Sequence, residues 1–277
     1  MVKNFFLALI FFDFFTFTFS QCTNFGPDEN CYWKGLDQTW FAAHVNCITI
    51  ASIHNAILNS FIREYAQQLA IEEPFWIGGA VNYKNEWAWA DLTNFTYTNW
   101  APGEPKHNKI GYCIAQDPSS GKWKSTNCSE WHPTICSQLK SVPTIPCPEF
   151  FDHYSTVLNK CYSWEGTNLP TYDEMQQDCL NMNSTLVTVH NDVENAIVQG
   201  LAVAYDAPAL LGLHDPYNNR SYVWSDGSKL DFQNWHDPPG DGDCAFLRIE
   251  SMKWYPMKCA DFQGDMSSEL CEIPSLI

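Results

Sequence analysis

Twelve cysteines fall twice into one six-member pattern: Cys22, Cys31, Cys47, Cys113, Cys128, Cys136, then Cys147, Cys161, Cys179, Cys244, Cys259, Cys271. The third-to-fourth interval is 66 residues in the first set and 65 in the second, and the fourth-to-fifth interval is 15 in both. Thiols placed independently do not reproduce such intervals, so the chain reads as a tandem duplication of one disulfide-stapled domain. Disulfides persist in oxidising compartments, which points to a secreted protein.

The N-terminus agrees with that route. Lys3 precedes an apolar run from Phe5 to Phe19, and Thr18-Phe19-Ser20 offers a small-x-small cleavage signature, so residues 1–20 are expected to be a signal peptide. The run is short and carries Asp13, whereas a spanning helix needs about 20 apolar residues, so no transmembrane anchor is expected. Sequons at Asn94, Asn183 and Asn219 fit passage through a glycosylating pathway. Asn127-Cys128-Ser129 also matches the pattern, but its middle residue is wanted for a bridge.

Two domains are expected, 21–138 and 147–277, joined by a short, fairly stiff linker at 139–146 that carries Pro143 and Pro146. Charge separates them. Residues 22–140 hold 8 basic and 11 acidic side chains, while 147–277 hold 6 and 20. Such a chain repels nucleic acid and anionic membrane surfaces. The acidity of the second half reads either as solubility or as a face for a cationic partner.

Local patterns repeat as well. Each half has an opening hairpin ending at Cys31-Tyr32 or Cys161-Tyr162. A helix carries Trp40, Ala43 and Val45 in the first copy, and Thr171 with Glu174 makes a capping-box signature in the second. A second helix follows Asn55 and Asn191, with apolar residues near a 3.6 period at Leu58, Phe61, Ile62, Tyr65, Leu69 and at Val193, Ile197, Val198, Leu201, Tyr205. Short aromatic strands between turns rich in Asn, Asp, Gly and Pro come next. Each half is therefore expected to be α+β, two helices plus a loop-rich antiparallel sheet.

In the first copy Trp40, Cys47, Trp76-Ile77-Gly78-Gly79, Asn99-Trp100, Glu104-Pro105, Trp123, Cys128 and Cys136 resemble the C-type lectin-like domain in its long form. Leu211-Gly212-Leu213, Asn234-Trp235, Trp254, Cys259 and Cys271 repeat the marks. The resemblance covers nearly everything after the expected signal peptide. It implies the bridges Cys22–Cys31, Cys47–Cys136, Cys113–Cys128, Cys147–Cys161, Cys179–Cys271 and Cys244–Cys259, a choice that spacing alone leaves open among fifteen pairings per set.

In sugar-binding members of that family a Glu-Pro-Asn or Gln-Pro-Asp triplet and a Trp-Asn-Asp strand hold one calcium, which needs six to eight oxygens. Here the first copy reads Glu104-Pro105-Lys106 and Trp123-Lys124-Ser125. Glu104 keeps a ligand, but Lys106 and Lys124 have no lone pair to offer. A divalent ion 4 Å from one ammonium is repelled by up to about 8 kcal/mol at an effective dielectric of 20. Asn108 supplies one oxygen and not a set. The second copy reads Asp237-Pro238-Pro239 and Trp254-Tyr255-Pro256, with Asp241 and Asp243 in the same loop. Those three carboxylates are read either as a rearranged calcium loop or as a solvated acidic one; calcium is possible there and not favoured, and no cofactor is expected.

No nucleophile elbow, HExxH helix or phosphate loop appears, all twelve thiols are wanted by bridges, and His54 and His190 are read as a repeated structural pair, so no enzyme is expected. The resemblance implies a secreted recognition protein for a glycan or an extracellular protein, binding without calcium at the usual sugar site, in a family that includes innate-immune proteins. Lys106 and Lys124 are candidates to grip an anionic sugar, with Trp123 or Trp100 as a stacking face. The alternative is a protein–protein module or a structural extracellular component with no sugar binding.

Overall fold

Helix starts in both halves are set by side-chain oxygens that satisfy backbone N–H groups with no intrahelical partner. Thr39 Oγ1 accepts from Ala42 N (3.2 Å), Asn55 Oδ1 from Leu58 N (2.9 Å), Thr171 Oγ1 from Glu174 N (3.3 Å), and Asn191 Oδ1 from Val193 N and Glu194 N (both 3.0 Å). Each such cap contributes about 1 kcal/mol. At Thr171 the Glu174 carboxylate takes the threonine hydroxyl (2.7 Å), a variation on the expected capping box.

The computed structural model describes residues 24–47, 49–139, 145–166, 171–217, 219–239, 242–260, 268–274 and 276. The expected signal peptide, Cys22 with its bridge to Cys31, residues 140–144 of the linker, and Asp241 lie outside them. The first half runs β1 (Cys31–Lys34), α1 (Trp40–Asn46), β2 (Thr49–Ile50), α2 (Ala56–Gln68), β3 (Phe75–Val81), β4 (Trp87–Trp89), β5 (Tyr112–Gln116), β6 (Trp123–Asn127) and β7 (Ile135–Gln138). The second runs β8 (His153–Ser155), β9 (Lys160–Gly166), α3 (Tyr172–Asn181), β10 (Thr185–Leu186), α4 (Asp192–Tyr205), β11 (Ala209–His214), β12 (Val223–Trp224), β13 (Cys244–Arg248), β14 (Lys253–Met257) and β15 (Ser268–Pro274).

Each half is α+β with two antiparallel sheets. The orders are β1-β7-β2 and β4-β3-β5-β6, then β8-β9-β15-β10 and β12-β11-β13-β14. The opening hairpin forms in full as β8–β9; in the first copy its described trace is a single bridge, Phe25 with Cys31. Among the described residues five bridges are present, Cys47–Cys136, Cys113–Cys128, Cys147–Cys161, Cys179–Cys271 and Cys244–Cys259. Two of them close loops with sequence separations of 89 and 92. In the chain-entropy account such long loops constrain the unfolded chain most.

Buried tryptophans anchor the cores, and their polar edges repeat. Trp123 Nε1 donates to Asn59 Oδ1 (2.8 Å) and Trp254 Nε1 to Asn195 Oδ1 (2.9 Å), so each long-loop sheet is tied to its second helix. The second copy alone buries an ion cluster: Lys160 Nζ lies 3.3 Å from Glu194 and 3.2 Å from Glu272, which also accepts from Thr188 Oγ1 (2.6 Å). Counting from the shared cysteines and caps, the first copy has Asn30, Leu58, Ser137 and Ser52 at these four places.

The halves do not hang as beads on a linker. Helix α1 lies along α4, and one apolar core runs through both copies, joining Trp40 and Phe41 to Ile197 and Leu201. The contact is backbone-close: a Cβ on Gly200 would stand 2.8 Å from both Ala42 N and Phe41 C. His44 Nε2 donates across the seam to the Tyr154 carbonyl (2.8 Å). The residues making the contact are not duplicated. Phe41 and Val45 correspond to Asp173 and Gln177 on α3, both exposed, and Gly200 corresponds to the exposed Glu64 on α2.

Candidate functional site

In the first copy the loop after β4 is drawn onto β6. Asn99 Nδ2 donates to Gly121 O (2.7 Å), and Trp100 bridges Trp123 with ring centroids 5.7 Å apart. The Glu104–Pro105 bond is cis. The Glu104 side chain lies against β6 and is 7% exposed. Its Oε2 accepts from Ser125 Oγ (2.8 Å), Ser125 N (3.0 Å) and Lys106 N (3.0 Å), and its Oε1 faces Lys106 Nζ at 3.6 Å. Burial raises the carboxyl pKa, but the donors from Ser125 and Lys106 outweigh it and hold the group below its usual range. Ser125 Oγ also accepts from Lys106 N (3.0 Å) and His107 N (3.2 Å), which fixes the loop next to Lys124.

A calcium ion requires open oxygens, and these residues do not fit one. The single carboxylate is already engaged by protein donors, an ammonium stands where a ligand oxygen is needed, and Ser125 is spent on the loop. What remains exposed is basic: Lys106, His107, Lys109 and Lys124, with Asn108 among them. The His107 ring stacks on Tyr112 (4.2 Å), and Lys109 Nζ lies 5.7 Å from that ring's centroid. His107 and Lys109 were not among the sequence candidates; the Lys106-x-x-Lys109 spacing was the available signal.

Trp123 is corrected. Its ring is fully buried among Trp89, Phe95, Tyr97 and Trp100, and its N–H is used on Asn59, so it has no face for a ligand. Trp100 is half-buried and lies against Trp87, centroids 4.9 Å apart.

The second copy does not gather its described acids. Asp237 is exposed and pairs with His236 Nδ1 (2.7 Å), whereas Asp243 Oδ1 accepts from Cys259 N (2.6 Å) and serves the fold. The Tyr255 ring fills the place of a ligand residue, with His236 stacked at 4.8 Å and the Arg248 guanidinium 4.8 Å from its centroid. Among the described residues one set of three metal-capable side chains converges, Cys179, Glu269 and Cys271, and its two sulfurs are bonded to each other.

The paired histidines have structural partners. His54 Nε2 contacts Thr93 Oγ1 (3.2 Å), and His190 contacts Asp231 (2.8 Å) and Ser228 (3.2 Å). Asn94, Asn183 and Asn219 are exposed. Among the described residues no helix is long and apolar enough to cross a membrane.

The lectin C-type domain model matches residues 36–138 and 168–264. Human C-type mannose receptor 2 is 27% identical over 254 residues, covering 85% of this chain and 17% of the receptor. Lymphocyte antigen 75 of Mesocricetus auratus is 26% identical, covering 92% and 16% respectively. The secretory phospholipase A2 receptor of Mus musculus is 24% identical, covering 89% and 17%. The chain thus spans about a sixth of the length of these curated relatives. Among solved structures, human lithostathine aligns at a TM-score of 0.41 and 28% identity, covering 47% of this chain and all of that one.

Proposed function

The chain belongs to the lectin C-type domain family, and from that we propose that it is a secreted recognition protein whose first domain binds an acidic glycan directly, without calcium. The observation that carries this reading is the state of Glu104. With its oxygens held by Ser125 and Lys106, a family ligand residue has become a brace for a loop that presents Lys106 and His107 to solvent next to Lys124 of β6. Ammonium groups meet sulfate or carboxylate oxygens through charge-assisted hydrogen bonds, which are about twice as strong as neutral ones. Trp100, half-buried beside them, gives a sugar ring an apolar edge.

The test is an array of sulfated, uronate-bearing and neutral glycans, run with and without EDTA. Sulfated or uronate glycans should be retained equally in both conditions and lost in a K106A/K124A double variant. Retention that needs divalent cation refutes the calcium-free part, and equal retention of neutral glycans refutes the role of the lysines.

One observation favours a second reading, in which a basic extracellular protein docks on the second domain. Residues 147–277 carry 20 acidic and 6 basic side chains. Capture by that route weakens steeply between low and physiological salt.

A further inference from the structure

The seam between the two halves opens on one side into a cleft of about 660 Å³, within the range of small-ligand sites. Its walls belong to different copies. Lys109, Tyr112 and Asn127 stand on the first, and Gln199, Asn234 and Lys253 on the second. The floor is apolar, made where Phe41 of α1 meets Ala196 of α4 beside Leu158. A Cβ on Gly111, itself at φ +93, would come within 3.2 Å of Val193, so the walls are held at a fixed approach.

We infer that this cleft is a composite binding site for a short acidic saccharide, adjoining the loop around Glu104, with which it shares Lys109. The chemistry is bifunctional. Gln199 gives its amide N–H to Met252 O (2.8 Å) and keeps its carbonyl oxygen; Asn127 uses its carbonyl on Ser129 N (3.0 Å) and keeps its NH₂. Between them the two walls offer one acceptor and one donor to a sugar's hydroxyls. Lys253 directs one N–H at Asn234 (2.5 Å) and retains two, so each wall carries an ammonium, opposed at the rim by Asp192. Two ammonium groups against one carboxylate leave the lining locally positive, and that balance favours a carboxylate or sulfate over a neutral ligand, against the net charge of −17 on the whole chain. Polar walls over an apolar floor suit a sugar ring, whose faces are apolar and whose edges are hydroxylated.

The experiment uses the full chain in EDTA, with a disulfated disaccharide, a disaccharide bearing one uronate, and a neutral disaccharide. Hydrogen–deuterium exchange read by mass spectrometry locates the ligand. Binding in the cleft slows exchange in segments 191–199 and 251–254. Binding at the loop slows 104–108 and 123–126, so failure of one reading leaves the other measurable. The two acidic probes should protect the cleft segments and the neutral one should not, and K253E should weaken that protection about tenfold or more while loop protection persists. Because Lys253 also touches Asn234, K253M is run beside it and should show the same loss with an unchanged melting temperature. The inference is overturned if no probe protects the cleft segments, if K253E leaves their protection intact, if the neutral disaccharide protects them equally, or if an acidic peptide does so and the sugars do not.

Discussion

Glu104 is a carboxylate with three protein hydrogen-bond donors on it and the Lys106 ammonium beside it, and its charge opposes the function proposed for its neighbours. Replacing it with glutamine keeps an acceptor for Ser125 and removes the charge that holds Lys106. An ion pair whose lysine end lies in solvent is worth up to about 1 kcal/mol, so E104Q should tighten binding of a sulfated glycan about two- to fivefold. Calorimetry in EDTA reads this directly, and unchanged or weaker affinity would separate Lys106 from the ligand. The pH dependence follows the same group. Its folded pKa is depressed, so its contribution to stability is present above the ordinary carboxylate range and is lost as pH falls through the folded value. That Lys106 and Lys124 offer no oxygen to a cation was legible in the sequence, because an ammonium nitrogen has no lone pair. The donors that occupy Glu104 were not legible: Ser125 is 21 residues away and arrives through the pairing of β5 with β6.

At the scale of elements the informative position is Gly200. Alanine in its place would gain up to about 1 kcal/mol of helix propensity in α4. The added Cβ would meet the α1 backbone at 2.8 Å, and overpacking of that kind costs about 1–3 kcal/mol. The second effect is the larger, so G200A should lower the melting temperature in calorimetry; a raised one would mean that α1 and α4 are not in backbone contact. Helices and strands themselves were readable from period and caps, since Leu58, Ile62 and Tyr65 recur on one face and Asn55 and Asn191 start both second helices. The packing of one copy on the other was not. Gly200 is a single unremarked residue in an otherwise apolar run, and nothing local distinguishes a glycine that admits a neighbouring backbone from one that merely weakens a helix. The Lys160–Glu194–Glu272 cluster was equally hidden, because its members lie up to 112 residues apart.

For the whole molecule the seam makes stability depend on pH. His44 is buried against Trp40, with ring centroids 5.2 Å apart, and burial holds its pKa below the ordinary histidine value despite the bond to Tyr154. His153, which contacts Tyr205 and lies near Asp152, is lowered by burial too. Both imidazoles are neutral when folded and take up a proton on unfolding once pH drops below about 6.5. The unfolded state then binds more protons, so stability falls with acidification through that window. Melting temperatures between pH 7 and pH 5 should decline for the wild type and decline less for an H44Q/H153Q variant, which keeps amide donors and cannot titrate. Parallel slopes would place the acid sensitivity elsewhere, in the carboxylates of the second half.

Duplication copied the fold but left one copy of the joint. A head-to-tail contact between like units has a direction, and where it repeats it builds a ring or an open filament according to whether its rotation closes. Here both ends are blocked by charge: Glu64 occupies the receiving groove of the first unit, and Asp173 the inserting ridge of the second. The packing of α1 on α4 is therefore not repeated through α2 or α3, and the pair has a built-in polarity.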